Sequence, residues 1–157
     1  MINTTELAAL ITGDIDTSSE TLTKVSHDAS IFEIVPEAVI YPKNATDIGK
    51  LVTYASEHPG ITLTARSAGT DMSGGPLTSS LVVDFTKYFN QIGEVSEGYA
   101  VTQPGVYYRD FDKATMEKGG QIMPSYPASR ELCTVGGMVA NNSGGEKTLT
   151  YGKTERY

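Results

Sequence analysis

The chain reads as an α+β protein. It has a small parallel βαβ layer, followed by a second α+β segment with a hairpin and a helix. Three observations predict this. Short apolar runs at 38–41, 61–65 and 81–84 have the length and composition of buried strands. An amphipathic stretch at 45–57 lies between the first two, where a right-handed parallel crossover needs a helix. Beyond residue 90 the pattern changes to two short extended runs around a Gly-containing turn, then one more helical stretch.

The elements follow in order. Asn3 and Glu6 have capping-box spacing, and Leu7, Leu10 and Ile11 form one stripe, so a helix is expected over about 4–12. A polar loop with Gly13, Asp14 and Asp16 follows, and 25–35 reads as irregular. Ala38-Val39-Ile40-Tyr41 is a strand closed by Pro42. Asn44 can cap the next helix, where Ile48, Leu51, Val52 and Ala55 recur at the helical period until His58-Pro59-Gly60 stops it. Strands at 61–65 and 81–84 flank a Gly-rich loop at 66–76. Runs at 91–95 and 99–103 make the hairpin. A helix over about 107–118 ends at Gly119-Gly120. The remainder, 121–157, is rich in Gly, Pro, Ser, Thr and Asn, with one short helix near 135–140. A stretch of that kind inside a compact domain is usual where it wraps a ligand.

The 157 residues allow one domain of ordinary size, with 39% hydrophobic and 20% charged residues. Lys and Arg total 12 against 19 Asp and Glu, a formal charge of −7, which disfavours nucleic acid as a partner. The single cysteine, Cys133, excludes an internal disulfide and a Cys-rich metal site, and reads as a small buried residue. The N-terminus lacks a basic region, and no apolar run approaches the roughly 18 residues of a membrane span. The expected location is the cytoplasm.

Three segments carry chemistry. The loop 66–76 leaves a strand and is rich in Gly, Ser and Thr, so its successive N–H groups could form a nest for a diphosphate. No Lys follows its glycines, as a Walker A loop requires, and no G-x-G-x-x-G occurs. By composition alone it also reads as a surface loop. Residues 124–129 and 134–145 put hydroxyls beside small or rigid backbone positions, which suits a flat hydrogen-bonding ligand or a tight-turn region.

Taken together, these segments resemble the FAD-binding domain of the vanillyl-alcohol oxidase / para-cresol methylhydroxylase superfamily. The likeness is to FAD-linked oxidases of the glycolate oxidase subunit and D-lactate dehydrogenase type. Arg66 to Gly75 matches the run R-x-x-G-T-x-x-S-G-G, and Pro124 to Ser129 matches P-x-x-P-A-S. Thr134 to Gly145 follows the family's T-x-G-G run, and Tyr151 to Tyr157 is similar to Y-G-x-T-R-D-Y. The resemblance covers roughly 28–157. It implies a lead-in over 1–34 and a C-terminally incomplete FAD-binding domain of the para-cresol methylhydroxylase type over 35–157.

The resemblance also implies site residues. Arg66, Ser67, Ala68, Gly69, Thr70, Asp71, Ser73 and Gly74 would hold the diphosphate. Pro127, Ala128, Ser129, Thr134, Gly136, Gly137, Asn141, Gly144, Gly145 and Gly152 would line the adenosine and isoalloxazine parts. Some members attach FAD through a His in the first loop; Thr70 stands at the comparable position here, so the FAD is expected to be non-covalent. The parent enzyme would move a hydride from C2 of a 2-hydroxy acid onto flavin N5, the flavin carrying the redox step. No catalytic residue and no metal ligand is assigned, and His27 and His58 read as structural. Family enzymes run to several hundred residues, so a missing cap domain or partner chain is expected, with self-association as another way to cover the open face. A chain without those parts should hold FAD weakly or not at all. The alternative is a catalytically inactive nucleotide-binding fragment or partner-dependent module.

Overall fold

In the computed structural model, which describes residues 2–157, the chain divides after Tyr88 into two units. The first opens with helix α1, Thr4–Leu10. The Asn3 side chain accepts from the Glu6 N–H at 3.2 Å, pairing one of the donors that a helix start leaves open. Strand β1 (Asp14–Asp16), helix α2 (Ser19–Val25), strand β2 (Ala38–Tyr41), helix α3 (Ala45–Glu57) and strands β3 (Leu63–Arg66) and β4 (Leu81–Asp84) follow.

The sheet order is β1-β2-β4-β3. β2 and β3 both pair with β4 in parallel, with Ala38 and Leu63 each opposite Leu81. This is the expected parallel layer. Its two faces are both covered. Ala38, Ile40, Leu81 and Val83 pack with Leu7, Leu51 and Tyr54 from α1 and α3. Val39 and Val82 point the other way and meet Val25 of α2. Burial on both faces is why β2 and β4 read as continuous apolar runs, whereas the edge strand β3 is only half-buried.

Three expectations in this unit are corrected. The polar loop around Asp14 is the edge strand β1, antiparallel to β2. It escapes a periodicity reading because it has one apolar side chain between two carboxylates. Asp14 instead anchors the strand by accepting from Lys87 Nζ at 2.7 Å and from the Tyr88 hydroxyl. Helix α2 was expected to be polar loop. Ser18 caps it, and the Asp16 carboxylate accepts from the Ser18 N–H and the Thr21 hydroxyl at 2.8 and 2.7 Å; only Leu22 and Val25 give it an apolar face. Finally, α3 buries Asp47, Leu51 and Tyr54, while Val52 is 56% exposed.

The rotation of α3 follows from Asp47, which is 1% exposed. Its carboxylate accepts from the Thr12 N–H, the Thr12 hydroxyl and the Lys43 N–H at 3.0–3.1 Å, and its own N–H donates to Asn44. Burial raises its pKa, but the hydrogen bonds outweigh that and hold it below the usual carboxylate range. Asp47→Ala would leave the Thr12 and Lys43 N–H groups unpaired, and should cost about 3 kcal/mol in urea unfolding at neutral pH. A folded pKa below the unfolded one stabilises the protein above the unfolded value, and the gain disappears as pH falls through the folded value. Asp47→Asn should therefore flatten the acid limb of the stability profile; an unchanged limb would refute this role.

The second unit, Phe89–Tyr157, begins with the expected hairpin of β5 (Ile92–Ser96) and β6 (Tyr99–Thr102), paired antiparallel. Helix α4 (Tyr108–Gly119) ends at Gly120 in the left-handed conformation, and α5 (Val135–Ala140) is capped by Thr134. Helix α6 (Thr148–Tyr151) and a 3-10 turn at Thr154–Arg156 were not expected. Val106, Tyr108, Phe111, Tyr126, Cys133, Val135 and Met138 form the core. Burial pushes the Cys133 thiol up, as in a cysteine that serves packing. Among the described residues no helix is long and apolar enough to cross a membrane.

Candidate functional site

The loop 66–76 leaves the C-terminal end of β3, the end at which open parallel sheets place ligands. Arg66 starts it, and its guanidinium turns back into the unit. Nη1 donates to the Val25 carbonyl at 3.2 Å and Nη2 to the His27 carbonyl at 2.7 Å. The side chain therefore braces the loop against the segment after α2. Burial lowers the Arg66 pKa, while the charges of Asp84 and Asp28 oppose that shift. Gly69 passes over this guanidinium with φ +69°, and a Cβ there would stand 2.2 Å from Nη2. Only glycine meets both demands.

Two carboxylates then shape the rest of the loop. Asp71 Oδ2 accepts from the Ser73 hydroxyl, the Gly75 N–H and the Ser73 N–H at 2.7, 2.8 and 3.0 Å. Those bonds hold its carboxyl below the usual range, the Ser73 hydroxyl contributing most. Asp28 Oδ2 accepts from the Gly74 N–H at 2.9 Å. The donors at 73, 74 and 75 are thus engaged inside the protein. The N–H groups of Ser67, Ala68, Gly69, Thr70 and Asp71 make no hydrogen bond among the described residues. Five consecutive donors on a half-buried stretch of the loop are open to an anion.

In the second unit the other two segments meet each other. Gly145 lies against the 126–127 backbone, close enough that a Cβ would stand 2.2 Å from the Tyr126 carbonyl oxygen. The Tyr126 hydroxyl donates to Glu146 at 2.8 Å, and Arg130 lies 4.9 Å from the centre of the Tyr126 ring. The Thr154 hydroxyl bonds the Ser143 carbonyl and the Ser125 hydroxyl at 2.8 and 3.2 Å, so the buried Ser125 and Thr154 tie 124–129, 134–145 and the C-terminal turn together. Thr134 accepts from the Gly137 N–H at 3.2 Å as the cap of α5, and the Gly136 N–H donates to the Pro104 carbonyl at 2.9 Å. Asn141 closes that helix, its N–H donating to the Gly137 carbonyl. Gly152 closes α6, its N–H donating to the Thr148 carbonyl at 2.8 Å. Pro127 is part of that contact, and Gly144, Ala128 and Ser129 adjoin it along the chain.

Sequence reasoning missed Asp28, which stands alone in a stretch without periodicity. Ser125 and Thr154 fall inside the resembling motifs, and membership of those runs is the only signal the sequence gives for them. His58 Nδ1 lies 2.8 Å from the Tyr54 carbonyl and its ring stacks on Tyr54 at 4.0 Å, while exposed His27 sits 3.4 Å from Glu33. Asp84 accepts from the Thr86 N–H and hydroxyl in a turn. Among the described residues no group of three His, Cys, Asp or Glu is placed to hold a metal ion. A surface groove of about 630 Å³ lies between α1 and α3, lined by residues such as Leu10, Gly49 and Tyr54; none of the residues expected at the site lines it.

Residues 36–157 match a family described as FAD binding domain. Glycolate oxidase subunit GlcD of Bacillus subtilis (strain 168) is 39% identical over 137 residues, 84% of this chain and 28% of the relative. D-2-hydroxyglutarate dehydrogenase of Escherichia coli (strain K12) is 29% identical over 147 residues, 91% of this chain and 14% of the relative. D-lactate dehydrogenase of Archaeoglobus fulgidus is 31% identical over 121 residues, 76% of this chain and 27% of the relative. The chain thus spans less than a third of each of these proteins. A solved structure of alkyldihydroxyacetonephosphate synthase superposes with a TM-score of 0.82 at 20% identity, covering 98% of this chain and 32% of that one. A variant of Physcomitrella patens BBE-like 1 gives 0.75 at 17% identity, covering 97% and 33%. The two structures establish the fold.

Proposed function

This chain belongs to the FAD binding domain family, and from that premise we propose that it holds FAD non-covalently within a larger cytoplasmic oxidoreductase acting on a 2-hydroxy acid. The observation that carries the reading is the row of five open N–H groups from Ser67 to Asp71, at the end of a parallel strand. It fits a diphosphate, which needs several convergent donors and no lysine. Bound FAD would supply the hydride-accepting chemistry. This chain's own part is to bind and orient. The 67–71 donors hold the diphosphate and Asp71 keeps the following turn closed; the resemblance assigns 127–129 and 136–145, in the second unit, to the rest of the cofactor.

Several features support the finer points. Glycolate, 2-hydroxyglutarate and lactate, the compounds in the relatives' names, are all 2-hydroxy acids. A non-covalent link agrees with Thr70 standing where a tethering His would be, and with the burial of Cys133. The substrate contacts would come from a cap domain or partner chain. Ile31 at 96% exposure, Met72 at 80% and Leu149 at 102% are apolar side chains that such a partner, or a second copy, would cover.

Titrating FAD into the purified chain while following flavin fluorescence tests the reading. Weak, saturable binding is expected, reversed by gel filtration and competed by ADP. A lack of saturable ADP binding would overturn the role of 66–76, and flavin that stays on the chain after denaturation would overturn the non-covalent link.

A further inference from the structure

We propose that segment 25–33, which precedes the family-matched stretch 36–157, is a working part of the diphosphate loop, with Asp28 as the positioning residue that sets which donors face the ligand. The inference rests on the reading of 66–76 as the FAD loop. Four hydrogen bonds join the segment to the loop at three points along its length. At the entry, Arg66 donates to the Val25 and His27 carbonyls. In the middle, the Ala29 N–H donates to the Asp71 carbonyl at 2.9 Å. Past the turn, Gly74 donates its N–H to Asp28.

The segment is itself closed, which lets it act as a brace. The Ile34 N–H donates to the Ser26 carbonyl at 2.9 Å, and His27 and Glu33 face each other in a β-bridge. Asp28 uses both oxygens: Oδ1 accepts from the Ser30 N–H at 2.8 Å, while Oδ2 takes Gly74. The Phe32 ring lies over Gly74, where a Cβ would be 3.0 Å from Cδ2 at φ +84°.

The consequence for the ligand is one of direction. A run of N–H groups over 67–75 could point either way along the loop. Asp28 and Asp71 draw the donors at 73, 74 and 75 toward the protein, and Arg66 pins the start, so the open donors are those at 67–71. A carboxylate is needed at position 28 because both of its partners are donors. An amide would turn its NH₂ toward one of them. Its negative charge beside an anion site is tolerated because the Arg66 guanidinium and two N–H groups face it.

The test compares the unaltered chain with D28A and D28N, titrating FAD and ADP and recording the thermal unfolding midpoint without ligand. D28A should weaken FAD and ADP in parallel, by about ten-fold or more, because both carry the diphosphate, with the midpoint nearly unmoved. D28N keeps one acceptor oxygen and should lose less than D28A. Binding of both compounds by the unaltered chain with no loss in folded D28A overturns this inference alone, and so does a loss confined to FAD. Should D28A fail to fold, D28N decides, and affinity equal to the unaltered chain overturns the proposal. Binding of neither compound by the unaltered chain overturns the reading of 66–76 and this inference with it.

Discussion

Replacing Arg66 by alanine should destabilise the first unit by about 3–5 kcal/mol and abolish the ordered loop 66–76. The side chain is 8% exposed and makes two charge-assisted hydrogen bonds, to the Val25 and His27 carbonyls. Truncation would leave both carbonyls without that partner and open a void under Gly69, whose backbone rests on the guanidinium. It would also remove the positive charge that faces Asp28 and Asp84. Urea unfolding of the two proteins measures the effect. Arg66→Lys should recover only part of the loss, since one ammonium on a shorter reach cannot reproduce a planar fork aimed at two carbonyls. A loss below about 1 kcal/mol in Arg66→Ala would show that the brace contributes little and that the loop holds its own shape.

In the second unit, Gly145→Ala should cost about 3 kcal/mol and separate the two segments that line the proposed cofactor surface. The added methyl would stand 2.2 Å from the Tyr126 carbonyl oxygen and 3.2 Å from Pro127 Cα. Both are backbone atoms, so no side-chain rotation relieves the clash. The strands of chain must part, which strains the 2.7 Å bond from the Gly145 N–H to the Thr148 hydroxyl and the 2.8 Å bond from Tyr126 to Glu146. The near-ultraviolet circular dichroism of tyrosine should change with it, because the ring of Tyr126 packs 5.6 Å from that of Tyr108. A Gly145→Ala protein with native stability and an unaltered tyrosine signal would mean that 124–129 and 134–145 are not held in close contact.

Most of the fold was legible because its determinants are local. The strands at 38–41 and 81–84 are buried on both faces, so they read as apolar runs; the edge strand expected at 61–65 forms at Leu63–Arg66 and is only half-buried. The helices α1, α3 and α5 carry capping residues, Asn3, Asn44 and Thr134, whose side chains accept from the N–H three residues on. The same logic failed for β1 and α2. Neither has enough apolar residues to show a period, and both depend on polar side chains such as Asp14 and Asp16 finding their partners. The face of α3 was misjudged because hydrophobicity points to Val52, whereas a buried carboxylate, Asp47, sets the rotation.

The candidate site divides in the same way. Its composition belonged to the sequence: glycines where the backbone turns left-handed or passes closely over a neighbour, hydroxyls beside them, and no lysine or histidine in the loop. Read from 66 to 75, those residues pointed to an anion and, by resemblance, to FAD. What only the tertiary structure decided is which donors remain for that anion. Arg66 reads as a phosphate contact in one dimension, and in three it turns away to hold carbonyls about 40 residues earlier. Asp28 reads as a lone acid in an irregular stretch, yet it takes the Gly74 N–H from across the loop. Hydrogen-bond partners far apart in the chain leave no periodic trace in it. They exist only once the sheet has brought β3 beside the segment that follows α2.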